Sequence, residues 1–229
     1  NVLDLWKASA PHIDLIGTDL YSTDYNEFTK VVGQYTRADN PPWISETGYD
    51  AGNAPYLFHV LANGGIGFSV FGVDNDPDTP ERRKATQAHA RNFALVNSIN
   101  GQVAAAAYRG TLHASVEQRG QPKRTIALDN RWRADISYGA PRWGDAPAEL
   151  PGTPDATGHV LVVPLGTDEY LVTGFDARVE FARDNADGRH GQLLRVEEGS
   201  YVDGRWKAIR WWNGDETDYG LNFTDKPVL

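Results

Sequence analysis

Trp43-Ile44-Ser45-Glu46-Thr47-Gly48 is a short apolar run that closes on a carboxylate and then a glycine. Its length and abrupt polar end fit a strand better than a helix. Two similar runs flank it. Ile13 to Tyr21 reads as a buried strand that turns polar at its end, and Ile66-Gly67-Phe68-Ser69-Val70-Phe71 reads as a third strand. Helical patterns lie between and around them. Val2, Leu3, Leu5 and Trp6 give one apolar face of a short helix stopped at Pro11, and Phe28, Val31, Val32 and Tyr35 share a second face. Asn40-Pro41-Pro42 is a breaker, and Tyr56 to Ala62 is an apolar helix ended by Asn63-Gly64-Gly65. Ala85 to Ile99 is a longer helix with Phe93, Val96 and Ile99 expected to face inward. This alternation marks repeated βα units around a parallel sheet.

Beyond Asn100-Gly101 the pattern changes to strand-like runs broken by Gly, Pro, Asn and Asp. The runs are Arg124 to Leu128, His159 to Leu165, Glu169 to Thr173, Arg178 to Phe181, Leu193 to Val196 and Trp206 to Trp212, with a long loop from Tyr138 to Gly158. Helical periodicity is weak throughout, so an antiparallel β domain is expected. Strand alternation places Trp206 and Trp212 on one face and Trp211 on the other, with packing favoured over a sugar-binding strip. Three parallel strands alone would leave open edges, and a complete eight-fold α/β barrel takes ~250 residues. The expected architecture is therefore α/β plus all-β. Residues 1–100 form the C-terminal portion of a (β/α)8 TIM barrel, and residues 101–229 form an antiparallel β-sandwich-like domain. The chain opens on Asn1 rather than Met, so the first part of the barrel is expected upstream, in the same or a second polypeptide.

Composition narrows the function. The formal net charge is −9 and no basic cluster offsets it, which disfavours nucleic acid. With no Cys there is no disulfide, thiolate metal site or cysteine nucleophile. No apolar run approaches the ~18 residues that span a bilayer, and no signal peptide opens the chain. Periplasmic and secreted locations both stay open.

In a barrel, side chains at the C-terminal ends of strands point into the active site. Glu46 holds such a position, and a carboxylate there can attack an anomeric carbon and later leave. Tyr21 ends the preceding strand, with Asp19 on the same face, and a phenol beside a carboxylate can orient it. Phe71 ends the third strand and offers a ring to a sugar face; Tyr49 and Asp74 follow strand ends and join Tyr21, Asp19 and Phe71 as substrate-binding candidates. Asp74, Asp76 and Asp78 resemble the start of a calcium loop. Thr79 replaces its glycine and Ala85 its closing Glu, so no metal site is expected. Ser69 lacks the second glycine of a nucleophile elbow, and the six His show no ligand spacing. Asn222-Phe223-Thr224 is a glycosylation sequon.

The order of these segments resembles family 35 of the glycoside hydrolases, and within it the bacterial β-galactosidase branch. The resemblance is carried by Val2-Leu3-Asp4-Leu5-Trp6-Lys7-Ala8, Ala10-Pro11-His12-Ile13-Asp14, Asp19-Leu20-Tyr21, Asn40-Pro41, Glu46-Thr47-Gly48 and Ile66 to Phe71. In the second half it is carried by Leu165 to Val172 and Arg210 to Glu216. It implies a retaining exo-β-galactosidase with no cofactor, acting on terminal β-galactosyl residues of oligo- or polysaccharides. Glu46 matches the nucleophile ending the seventh barrel strand, and Tyr21 the Tyr ending the sixth. The family's acid/base Glu ends the fourth strand, which would lie before Asn1. Where many relatives carry a Trp this chain has Phe71, and where close relatives favour Pro it has Ser45. The alternatives are the same fold with β-glucosidase or β-mannosidase specificity, and a non-catalytic carbohydrate-binding fragment.

Overall fold

A computed structural model describes residues 2–74, 79–141, 150–183, 191–218 and 220–224. The first part runs α1 (Leu3–Ser9), β1 (Thr18–Asp19), α2 (Tyr25–Tyr35), β2 (Trp43–Thr47), α3 (Tyr56–Ala62), β3 (Gly67–Val70), α4 (Pro80–Ser98) and α5 (Asn100–Tyr108). The β part follows as β4 (His113–Val116), β5 (Lys123–Ala127), β6 (Trp132–Tyr138), β7 (His159–Gly166), β8 (Glu169–Phe175), β9 (Ala177–Arg183), β10 (Val196–Val202), β11 (Arg205–Trp212), α6 (Gly214–Thr217) and β12 (Leu221–Phe223).

Strands β1, β2 and β3 form a parallel sheet in that order. Asp24 caps α2 by accepting from the Glu27 amide at 2.8 Å, and Thr79 caps α4 ahead of Pro80. Gly64, at φ +76°, gives α3 the left-handed exit that a side chain would strain. Leu20, Ile44 and Phe68 bury one face of the sheet against Phe28 and Val32 of α2 and Tyr56, Phe58 and Val60 of α3. The opposite face carries Gly17, Asp19, Trp43, Ser45, Gly67 and Ser69, none of them buried. Parallel sheets are ordinarily covered on both faces.

The antiparallel strands form a four-stranded sheet, β12-β9-β6-β5, a three-stranded sheet, β4-β7-β8, and the β10–β11 hairpin. Residues His159 to Val163 of β7 are all buried. Leu161 and Val163 face the core shared with the helices, while Val160 and Val162 face a second core with Ile136, Tyr138 and Val179. The first core thus continues from the parallel sheet through α5 into β4, β7 and β8. A buried polar chain crosses the same junction. Asn92 of α4 donates to the Ala54 carbonyl at 2.8 Å, and the two ring nitrogens of His159 stand 2.8 Å from Asn92 Oδ1 and 2.7 Å from the Thr157 carbonyl, the neutral ring donating to one of the two.

Several expectations are corrected. The strand expected over Ile13 to Tyr21 shrinks to Thr18–Asp19, because the buried Asn40 side chain takes the Ile16 amide and carbonyl at 2.9 and 3.1 Å, in place of a neighbouring strand. On α1 only Leu3 is buried; Val2, Leu5 and Trp6 are exposed. On α4 Phe93 is 41% exposed, and the inward row is His89, Asn92, Leu95 and Ile99, its two polar members satisfied by backbone carbonyls. Residues 100–108 are helical rather than strand, as four consecutive alanines favour. Leu193 and Leu194 are exposed ahead of β10, which begins at Val196.

The tryptophan faces are reversed as well. Glu198 pairs with Arg210 but Gly199 pairs with Ala208, so Ile209 is an extra residue that resets the alternation. Trp206 and Trp211 therefore share a face with Glu197, which accepts from Trp206 Nε1 at 2.9 Å and from Arg195 Nε at 2.9 Å. Trp212 lies on the other face and donates to Glu198, which also accepts from Arg210.

Candidate active site

The C-terminal ends of β1, β2 and β3 carry the candidate residues. The Leu20 amide donates to the Glu46 carbonyl at 2.8 Å and the Phe71 amide to the Thr47 carbonyl at 2.9 Å, so the sheet pairing runs on to the residues that bear the side chains. Tyr21 donates its phenol to Glu46 Oε2 at 2.8 Å. Glu46 Oε1 accepts no hydrogen bond among the described residues. Phe71 meets Tyr21 edge-on, with ring centroids 6.4 Å apart at 71°. Asp19 accepts from Ser45 Oγ at 3.0 Å. Partial desolvation, then the hydrogen bond and charge of Glu46 and the charge of Asp19, push the Tyr21 phenol up to about 12. Tyr21 therefore remains a donor to Glu46 at any physiological pH.

Tyr21, Glu46, Asp19 and Phe71 are thus gathered at one end of the sheet. Tyr49 and Asp74 make no hydrogen bond, ion pair or ring contact with them among the described residues: Tyr49 lies under Arg82 of α4, 4.9 Å from its guanidinium carbon, and Asp74 is exposed after β3. Asp76 and Asp78 lie outside the described residues, among which no group of three or more His, Cys, Asp or Glu could hold a metal ion. Asn222 of the sequon sits in β12 and accepts from Arg178 Nε at 2.8 Å.

Three residues given no site role in the sequence reading brace this end of the sheet. Thr47 Oγ1 donates to the Leu20 carbonyl at 2.8 Å, and Ser45 fixes Asp19. Asn53, 2% exposed, donates to the carbonyls of Tyr21 and Ser22 at 3.3 and 3.4 Å. A Cβ on Gly48 would stand 2.5 Å from Asn53 Oδ1, so the glycine after Glu46-Thr47 is what admits this bridge. The spacing Gly48 to Asn53 was the one available signal, a small residue and an amide in a loop following a strand-end carboxylate.

At the junction with the β part a cleft of about 730 Å³ opens beside these loops, lined by Thr23, Asp50, Glu81, Arg119 and Asp155 among others. Glu117, 4% exposed, stands at its edge and is fully engaged, accepting from the Thr153 amide at 2.8 Å, Thr153 Oγ1 at 2.6 Å and the Gly158 amide at 2.9 Å.

No curated protein matches the chain. A family model described as a domain of unknown function, DUF5597, matches residues 89–224, from the second half of α4 through β12. That span leaves out β1, β2 and β3, which carry Tyr21 and Glu46. By this match over more than half its length the chain belongs to the DUF5597 family.

Proposed function

We propose that the chain carries the nucleophile of a retaining exo-β-galactosidase that removes terminal β-galactosyl residues from oligo- or polysaccharides. The observation that carries this reading is the 2.8 Å hydrogen bond from Tyr21 to Glu46 at the C-terminal ends of adjacent parallel strands, which leaves Oε1 without a hydrogen bond among the described residues. The Tyr21 phenol fixes the carboxylate. Glu46 attacks the anomeric carbon, and the new C–O ester bond forms as the glycosidic C–O bond breaks. A carboxylic acid ~5–5.5 Å away gives its proton to the leaving oxygen, then takes one from the water that releases galactose. Asp19, held by Ser45, accepts from a sugar hydroxyl, and Phe71 packs against the sugar C–H bonds. The reaction needs no metal or organic cofactor.

The acid/base carboxylate belongs to further β/α units that complete the barrel, in this polypeptide or another. Support comes from the uncovered face of the β1–β3 sheet and from its edges, unpaired among the described residues. The test uses the polypeptide that contains this chain. A 2-deoxy-2-fluoro-β-galactoside with a good leaving group labels Glu46, and Glu46→Gln abolishes turnover of an aryl β-galactoside while the melting curve is kept. Label on another residue, or full activity in Glu46→Gln, overturns the reading. A panel of aryl glucosides and mannosides fixes the sugar. One observation favours a non-catalytic glycan binder: Trp211 is 64% exposed. In that case Trp211→Ala removes glycan binding and Glu46→Gln does not.

A further inference from the structure

We infer that the cleft between the strand-end loops and the β part is a subsite for the leaving-group side of a neutral oligosaccharide; this rests on the glycosidase reading above. Its place supports the role. Thr23 is two residues beyond Tyr21, and Asp50 four beyond Glu46. Asn53 ties those two loops together, and the Thr23 side chain lies within 3.3 Å of where a Cβ on Gly52 would stand. The cleft is therefore anchored to the same loops that set the Tyr21–Glu46 pair. Its other wall is the β part, through Gln118, Arg119 and Asp155. Ligand pockets favour such junctions, and about 730 Å³ suits a few sugar rings.

The lining chemistry selects the ligand. Asp50, Glu81 and Asp155 are exposed carboxylates that accept no side-chain hydrogen bond among the described residues. Lys84 and the Gln118 amide add donors, and the half-buried Tyr25 adds ring surface. Hydroxyls both donate and accept, so a glycan satisfies this mixture, whereas an apolar ligand would leave the carboxylates desolvated and unpaired. Five carboxylates line the cleft against two cations, in a chain of net charge −9. That field repels an anionic glycan and admits a neutral one.

The test is calorimetric titration of the polypeptide that contains this chain with galactose, a neutral β-galactosyl-terminated tetrasaccharide whose scissile oxygen is replaced by sulfur so that it is not hydrolysed, the same tetrasaccharide bearing one uronate, and a neutral oligosaccharide without terminal galactose. The neutral tetrasaccharide is expected to bind about tenfold tighter than galactose and about tenfold tighter than its uronate counterpart. In Asp155→Lys and Glu81→Lys, checked for an unchanged melting curve, the tetrasaccharide-to-galactose ratio falls toward one and the uronate penalty narrows. A ratio near one in the unaltered chain overturns the subsite, as do variants that leave both ratios as they were or an absence of all binding. Asp155-dependent binding of the galactose-free oligosaccharide, without galactose binding, keeps the subsite and removes the galactosidase reading. Galactose binding lost in Glu46→Gln, with no dependence on Asp155, does the reverse.

Discussion

Two carboxylates in this molecule stand in opposite conditions. Glu117 is buried in the β part and receives three hydrogen bonds, two from backbone amides and one from a threonine hydroxyl. Glu46 ends a strand of the parallel sheet and receives one, from Tyr21, with its second oxygen unoccupied among the described residues. The Glu117 oxygens are committed to holding Thr153 and Gly158 beside the end of β4. The Glu46 carboxylate is oriented but not saturated, the condition a nucleophile needs. On the glycosidase reading proposed above, hydrogen-bond count at a carboxylate separates the residue that builds the fold from the one that reacts, and proximity of an acidic side chain to a cleft does not.

This contrast can be broken in several ways. Glu46→Gln is expected to lower kcat on an aryl β-galactoside by a factor on the order of 10³ or more, with the urea midpoint unchanged. Glu117→Ala is expected to cost about 3 kcal/mol of stability, because three buried or half-buried donors lose their acceptor. Urea unfolding measures it, and a loss as small as that of a surface substitution would end the comparison.

Acid sharpens the comparison from the junction. Burial pushes the His159 imidazole down to about 4 from its ordinary 6.5, the Thr157 carbonyl opposing and Arg91 adding to the shift. The unfolded chain takes up this proton first. Stability is therefore complete above pH 6.5 and drains as pH falls toward 4, by on the order of 3 kcal/mol for this group. His159→Gln should flatten that slope in thermal melts, and an unchanged slope would assign the acid sensitivity elsewhere. Asn53→Ala is the smallest effect. It should lower kcat about tenfold through a less fixed Tyr21, with KM nearly unchanged and partial recovery in Asn53→Gln. A fall in stability with kcat intact would leave Asn53 a loop residue only.

Much of this arrangement was legible in the residues. Short apolar runs and a Gly-terminated helix located β2, β3 and α3, and the strand-end position singled out Glu46 and Tyr21. What failed was whatever depends on a partner distant in sequence. The Ile13 to Ile16 run has strand composition, yet Asn40 takes its hydrogen bonds. His89 and Asn92 look like surface positions until Asp50 and Ala54 supply their acceptors. The tryptophan faces depend on a single bulge at Ile209, which strict alternation cannot foresee. The cleft draws residues from segments over 100 positions apart, so no local pattern announces it.

The double burial of β7 bears on how the molecule comes apart. Val160 and Val162 belong to one core, Leu161 and Val163 to the other, so neither core can open while the strand stays protected on both sides. The helical and β parts should then melt in one cooperative transition. In hydrogen–deuterium exchange, the amides of Val160 to Val163 should exchange only through global opening, at the slowest rate in the chain.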